Sequence, residues 1–340
     1  MPEIFNRQQI EDALQHVDVT TAIEEGFVAY SQGRVVVPPV GELVFEDPPG
    51  DVHIKYGLIK DDDYFVIKVA SGFYGDVDTG LPPYDGLMLV FSQKTARLEC
   101  ILLDECHLTN VRTAAAGAVV AKYLAPSRVE RIGVFGAGVQ GRMQVEALLP
   151  VVDCRDVIVW GTGEEELEAY REAMSKHGLS IQTTLTADEI AATCNLIVTA
   201  TPSHTPLLRA EQVRAGTHIT AMGSDTREKI ELDPAILQKA DLVVADSIEQ
   251  CRVRGEIFHA LEAGLLQDGE VVELGNVIAN PDLGRGSDSQ ITVADLTGVA
   301  VQDIQISKAV YEVFLFQVSL RKSERMVRSV FQIRPKSTSR

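Results

Sequence analysis

Positive charge is scarce in this chain. Lysine and arginine number 31 against 49 aspartates and glutamates, and the 340 residues carry a formal charge of −18. With no basic cluster to offset that balance, phosphate backbones and anionic lipid would repel the protein. Nucleic-acid and membrane-surface roles are not expected. Long apolar runs are missing too, none approaching the roughly 20 residues needed to cross a bilayer. The start Met1-Pro2-Glu3-Ile4 lacks the charged-then-apolar pattern of a secretion signal, so a cytoplasmic protein is expected. Cysteine is sparse: Cys100, Cys106, Cys154, Cys194 and Cys251 are scattered and never spaced as CxxC. Neither a disulfide framework nor a metal site is indicated, and they read as reduced, buried small residues.

What is present is ordinary globular material, 45% hydrophobic and 24% charged, long enough for two domains. Residues 18–32 set Val19, Ile23, Phe27 and Tyr30 at helical spacing, and Gly33 supplies a stop. After Pro38-Pro39, apolar or alternating runs at 52–59, 64–70, 87–92 and 96–103 leave no room for helical crossovers, which predicts an antiparallel sheet with hairpin links. The segment 72–86, rich in Gly, Pro and Asp, reads as a mobile loop. From Val129 the rhythm changes. Continuous apolar runs at 132–135, 157–160, 196–200, 219–222 and 242–245 alternate with helix-compatible intervals such as 139–149 and 164–177. That pattern predicts a parallel, doubly wound α/β sheet. A last helix, over 298–330, is expected to return to the first domain before a polar tail at 334–340.

The segment Ile132-Gly133-Val134-Phe135-Gly136-Ala137-Gly138-Val139-Gln140-Gly141 is a strand, a G-x-G-x-x-G turn and a helix start. Gly136 permits the tight turn, Gly138 lets a pyrophosphate approach the backbone, and Gly141 allows close helix–strand contact. A glycine-rich turn without a ligand is the plainer reading, but both flanks favour dinucleotide binding. At the end of the second strand, Gly161-Thr162-Gly163-Glu164 contains no arginine for a 2′-phosphate, which favours NAD(H), with NADP(H) the alternative. Glu164 lies a few residues beyond the usual acid position and reads equally as a helix N-terminal charge.

Further segments extend the pattern: Asn110-Val111-Arg112-Thr113-Ala114-Ala115-Ala116-Gly117-Ala118, then Met222-Gly223-Ser224-Asp225 with Glu231-Leu232, then Gly298-Val299-Ala300-Val301-Gln302-Asp303. In this order, over about residues 35 to 305, the chain resembles the ornithine cyclodeaminase/μ-crystallin family. The resemblance implies a Rossmann domain over 126–304 and an α+β substrate-binding and dimerisation domain made of 1–125 and 305–340. Homodimers that join sheets are the corresponding assembly. It implies hydride exchange between a nicotinamide and the α-carbon of an amino or imino acid, whether as imino-acid or ketimine reductase or as amino-acid dehydrogenase. Redox-neutral cyclodeamination of a diamino acid is the alternative, and a non-catalytic nucleotide- or ligand-binding protein is a third.

Such a site needs cations for a carboxylate and a group that exchanges protons with nitrogen. Arg112 matches the family's carboxylate arginine, able to donate two parallel hydrogen bonds, although a surface or capping arginine would look the same. Lys68, within a strand of core-type residues, matches the substrate-side lysine, and strand alternation could equally turn it outward. Asp225 follows a buried strand and matches the catalytic aspartate, against the plainer reading of a turn residue. Thr297 is expected at the substrate or as the cap of the last helix. Thr113, Thr201, Pro202 and Ser203, with Thr162 and Glu164, are expected along the cofactor, while His204 is a candidate general base whose plainer reading is a solvated loop histidine. Many relatives carry an arginine soon after the paired prolines, where this chain has Val40. His53 and Lys55 are candidate substitutes. Glu42 would receive a second, cationic amine if it faced the pocket, and reads otherwise as a solvated rim glutamate.

Overall fold

The computed structural model describes residues 2–73 and 84–331. Of the expected mobile loop, 74–83 lie outside the described residues, as does the expected tail at 334–340; Gly72 and Gly86 are strand residues.

The first sheet comprises β1 (Glu3–Phe5), β2 (Val35–Val36), β3 (Gly41–Glu46), β4 (Pro49–Ile59), β5 (Tyr64–Phe73), β6 (Tyr84–Ser92) and β7 (Leu98–Leu102). Its order is β1-β7-β6-β5-β4-β2, with β3 paired to β4. The pairing is antiparallel through the β3 to β7 region, as expected, except that β1 joins β7 in parallel. Strand β3 was not anticipated: its Leu43, Val44 and Phe45 are 56%, 78% and 41% exposed, so no alternation between core and solvent marks it.

Helices α1 (Arg7–Leu14), α2 (Val19–Ser31) and α3 (His107–Leu124) belong to the first 125 residues. Asp18 caps α2 by accepting the Thr21 amide at 3.1 Å, and Gly33 closes it at φ 68°.

The second sheet is parallel throughout. It holds β8 (Ile132–Phe135), β9 (Asp156–Trp160), β10 (Ser180–Thr184), β11 (Leu196–Thr199), β13 (His218–Ala221), β15 (Leu242–Ala245), β16 (Val271–Glu273) and β17 (Thr292–Asp295), in the order β10-β9-β8-β11-β13-β17-β15-β16. A short pair, β12 (His204–Leu208) with β14 (Ile230–Leu232), stands beside it. Helices α4 (Val139–Leu148), α5 (Glu164–Met174), α6 (Ala187–Thr193), α7 (Ala235–Lys239), α8 (Ile248–Cys251), α9 (Gly255–Glu262) and α10 (Leu274–Ala279) link its strands. The strands β8, β11 and β13 are buried at every position, which is why β8 and most of β11 read as apolar runs, while the polar His218 and Thr220 of β13 are buried with hydrogen-bond partners.

Two helices bring the sheets together. The last, α11 (Ala300–Phe331), buries Val301, Ile304, Val310 and Phe314 against Val66, Met88, Val90 and Leu102 of the first sheet, as expected. Helix α3 runs from the end of β7 toward β8 with an almost side-chain-free surface at Ala114, Ala115, Ala116, Gly117 and Ala118, all buried. Small residues let α4 approach closely: a Cβ on Gly117 would lie 1.9 Å from Gln144 Oε1. Across that contact Gln140 Nε2 donates to the Asn110 side chain at 3.0 Å and Gln144 Nε2 donates to the Thr113 carbonyl at 3.0 Å. The glycine-rich turn and the Arg112 segment are thereby fixed to one another.

Candidate active site

The nucleotide end is built first. After β8 the chain turns at Gly136, φ 111°, where a Cβ would stand 2.7 Å from the Ala200 carbonyl. Gly138 sits at the N-cap of α4 without a side-chain cap, and a Cβ there meets nothing within 4 Å. The N-terminus of α4 thus has no side-chain cap and open space beside Gly138, and Val139 is 50% exposed. A helix N-terminus with that vacancy is an anion cradle, and it fits a dinucleotide pyrophosphate. Gly141, in contrast, packs so tightly that its Cβ would lie 1.9 Å from the Gly136 carbonyl oxygen.

Around this turn the expected cofactor residues differ in what their side chains do. Thr162 donates its amide to Glu166 Oε1 at 2.6 Å, and Glu164 is exposed at the start of α5. Thr113 donates its hydroxyl to the Thr109 carbonyl one helical turn back, at 2.7 Å. Ser203 donates to the Thr205 carbonyl at 2.7 Å, Pro202 is exposed, and His204 contacts the Glu228 carbonyl through Nδ1 at 3.0 Å. Thr201 is committed to a buried hub: Glu231 accepts its amide and hydroxyl, the Thr199 hydroxyl and the Gly223 amide, at 2.6 to 2.8 Å. Glu231 thus holds the loops after β11 and β13 in register. The sequence placed it in a motif without a role, because its four donors come from two separate loops.

The substrate end gathers three buried cations. Lys55 on β4 and Lys68 on β5 are direct partners in the antiparallel register, 7% and 3% exposed, and Arg112 on α3 is 6% exposed. Asp303, in the first turn of α11, accepts from Lys68 Nζ at 3.2 Å and from Arg112 Nε at 3.1 Å. Gln302 accepts from Arg112 Nη1 at 2.9 Å. A buried cation pair is tolerable only with such a counter-charge, and the α11 N-terminus favours an anion at that position. Burial penalises the Asp303 carboxylate, yet Lys68, Arg112 and Lys55 draw its pKa below the usual range. Lys68 therefore faces inward, and Arg112 is neither a surface nor a capping residue.

Among the described residues, no carboxylate is in contact with Lys55. Its Nζ donates to the Gly298 carbonyl at 2.6 Å and the Thr297 carbonyl at 3.4 Å. Burial, together with the like charges of Lys68 and Arg112, brings its pKa down from 10.5 to about 7. Gly298 marks the centre: at φ 81°, a Cβ there would stand 3.0 Å from Arg112 Nη1 and 3.1 Å from Lys55 Nζ. Thr297 does not cap α11 through its side chain. Its hydroxyl donates to Asp246 at 3.1 Å and accepts from Gln250 at 2.8 Å, while Asp246 also accepts the Gly298 amide at 2.7 Å.

Asp225, 41% exposed, lies in the loop after β13 and accepts from Lys229 Nζ at 2.7 Å. Burial works against its charge, but Lys229, Lys55 and His53 lower its pKa below the ordinary aspartate value. His53, on β4 two residues before Lys55, lies 3.5 Å from Asp51, and burial lowers its pKa. Glu42 does not stand free as a receptor for a substrate amine: its Oε1 lies 2.9 Å from Arg254 Nη2. Arg254 Nη1 also donates to the Asp225 carbonyl at 3.2 Å. Sequence reasoning missed Asp303 and Arg254, since both act on partners far away in the chain.

Chemically, the arrangement offers cations suited to a carboxylate, a retained anion at Asp225 that Lys55 and His53 influence, and an anion-binding helix end fixed to the Arg112 segment. The chain is similar to several known proteins, two of them with solved structures. An uncharacterized cyclodeaminase of Sinorhizobium fredii is 39% identical over 319 residues, 93% of this chain and 94% of the relative. Among solved structures, an archaeal alanine dehydrogenase dimer with bound NAD is 34% identical, with a TM-score of 0.85 over 93% of this chain and 97% of that one. The Thermococcus litoralis Delta(1)-pyrroline-2-carboxylate reductase in complex with NADH and L-proline is 27% identical, with a TM-score of 0.86 over 93% and 98%. The sequence profile of the ornithine cyclodeaminase/mu-crystallin family matches residues 2–317, and this chain belongs to that family.

Proposed function

We propose that this protein is an NAD(H)-dependent oxidoreductase acting at the α-carbon of a small amino or imino acid. The observation that carries the reading is the meeting of Lys55 and Arg112 at Gly298, with Asp303 tying Lys68 to the same Arg112, and with the glycine-rich turn fixed to the Arg112 segment through Gln140 and Gln144. When bound, the nicotinamide supplies or accepts a hydride at the substrate carbon. Gly136, Gly138, Val139, Gln140 and Gly141 would hold its pyrophosphate side, and Thr113, Thr201, Pro202 and Ser203 its nicotinamide side. Thr162 and Glu164, in a turn without arginine, favour NAD(H) over NADP(H).

The chain's own groups divide the remaining work. Arg112 and Lys55 bind the substrate carboxylate, and Lys68, paired with Asp303, serves on the substrate side and keeps the pocket cationic. Thr297 and Gly298 present backbone to the substrate at the start of α11. Asp225, whose pKa is depressed, stays a carboxylate at working pH and stabilises the cationic imine nitrogen. Lys55, at about 7, is poised to hold or release a proton within the physiological range.

The occupied state of Glu42 favours net redox over cyclodeamination, because a second substrate amine would have to displace Arg254. The organisation that goes with this reading is a Rossmann domain over 126–304 and a second domain of 1–125 and 305–340 that forms homodimers. Among the described residues no helix is long and apolar enough to cross a membrane, and five free, buried cysteines suit a reducing compartment such as the cytoplasm. The test is a screen of pyruvate with ammonia, cyclic α-imino acids and diamino acids, following NADH absorbance and ammonia release together. NADH oxidation with an imino acid supports the reading. Ammonia release from a diamino acid without net absorbance change supports cyclodeamination instead, and binding of NADH without turnover on any of them points to a non-catalytic protein.

A further inference from the structure

We infer that Arg254 is a positioning residue that ties the β3–β4 hairpin to the Asp225 loop, so that the placement of the hairpin and the alignment of Asp225 depend on one side chain. This rests on the reading that Asp225 and Lys55 serve a common substrate. Arg254 precedes α9 and belongs to the elements of the second sheet; Glu42 belongs to β3 of the first. One guanidinium nitrogen, Nη2, reaches Glu42 Oε1 at 2.9 Å, and the other, Nη1, donates to the Asp225 carbonyl at 3.2 Å. The same side chain therefore touches the hairpin on one side and the backbone of the proposed catalytic aspartate on the other.

The hairpin end carries its own cargo. Glu42 lies directly opposite His53 in the β3–β4 register, and Lys55 follows two residues later on β4. Strand β3 pairs with β4 in the sheet and is exposed at most positions, so sheet hydrogen bonding alone leaves its outer side unanchored. An exposed ion pair would contribute little. This one is different in that the Arg254 side chain is only 15% exposed and its Nε is buried without a hydrogen-bond partner among the described residues. Because the guanidinium is a rigid planar fork, holding Glu42 with one nitrogen and the Asp225 carbonyl with the other fixes the two segments relative to each other. Breaking the Glu42 contact frees the hairpin but leaves the Asp225 backbone held; losing Arg254 frees both.

The experiment uses Glu42→Gln, Arg254→Gln, Arg254→Lys and the Glu42→Gln/Arg254→Gln double variant. Steady-state kinetics with an accepted imino acid, NADH affinity by fluorescence and amide exchange over 41–59 and 223–226 are measured for each. Arg254→Gln is expected to lower kcat at least tenfold with NADH affinity within twofold of the parent. Glu42→Gln should raise KM several-fold with a smaller change in kcat, and the double variant should be no worse than Arg254→Gln alone. Exchange should quicken over 41–59 in Glu42→Gln and Arg254→Gln alike and over 223–226 only when Arg254 is replaced; Arg254→Lys, lacking the fork, should behave as Arg254→Gln at one of the two segments. Additive effects in the double variant, or unaltered exchange over 41–59 in Glu42→Gln, overturn the inference. Should the parent turn over no imino acid, the proposed function fails, and the exchange pattern still decides whether Arg254 couples the two segments.

Discussion

Lys55 and Lys68 face one another across the β4–β5 ladder, both buried, and among the described residues only Lys68 of the two has a carboxylate in contact. Like charges at directly opposed strand positions are destabilising. The pair persists because Asp303 answers Lys68 and Arg112, and because Lys55 sheds its proton readily, leaning on the Thr297 and Gly298 carbonyls. An incoming carboxylate would supply the missing counter-charge, so the site is completed electrostatically by its ligand.

That asymmetry sets a pH dependence. Lys55 titrates at about 7 when folded and near 10.5 when unfolded, so between those values the unfolded chain binds the extra proton. Stability contributed by this group therefore rises as pH rises through that window, and is least below it. Lys55→Met abolishes the slope. Its stability relative to the parent should be highest near neutral pH and fall by a few kcal/mol toward pH ~10. Urea denaturation of both proteins at several pH values measures the difference, and a gap independent of pH would show that Lys55 titrates normally.

Asp303→Asn should be severe for a different reason. It keeps a hydrogen-bonding group but removes the charge that two buried cations share. Breaking a buried ion pair from one side typically costs about 3–5 kcal/mol, and a loss in that range is expected in chemical denaturation. A cost under about 1 kcal/mol, the level of exposed pairs, would mean water reaches Lys68 and Arg112 freely.

The glycine-rich turn separates binding from folding. Gly138→Val places its side chain where the structure is open, so the fold should survive and NADH binding should be lost. Gly141→Ala places a methyl group against the Gly136 carbonyl, so it should lower the melting temperature by several degrees even without cofactor. Thermal unfolding with and without NADH distinguishes the two. If both variants lost only NADH binding, Gly141 would be a ligand residue rather than a packing one.

Periodic features were the legible ones. The strands Ile132–Phe135 and Leu242–Ala245 carry the bounds their apolar runs suggest, α2 starts at its Asp18 cap, and α11 packs back on the first sheet. Strand β3 was invisible because its side chains are mostly exposed, and the extent of α3 because small residues give no amphipathic signal when nearly every face is buried. In the site, residue types announced themselves, but their partners did not. Nothing local ties Glu42 to Arg254, or Asp303 to Lys68, since each pairing is made by the crossing of the two sheets' helices and loops rather than by spacing.

Asp225 gives the sharpest test of the chemistry. Its carboxylate is already held below the ordinary aspartate range despite the opposing effect of burial, with Lys229 in contact at 2.7 Å. It therefore remains charged from weakly acidic to alkaline pH, and its contribution should be the same across that span. Asp225→Asn keeps the shape and much of the hydrogen bonding while deleting the charge, so NADH binding should survive and turnover should fall by ~10²-fold or more. The fall should be uniform from pH 6 to 9, roughly, because no protonation of Asp225 occurs there, and any break near pH 7 should persist as the signature of Lys55. If the deficit instead vanished toward low pH, the aspartate would be titrating within the working range. If turnover per folded molecule were unchanged while the melting temperature fell, Asp225 would be no more than the partner of Lys229 in a turn.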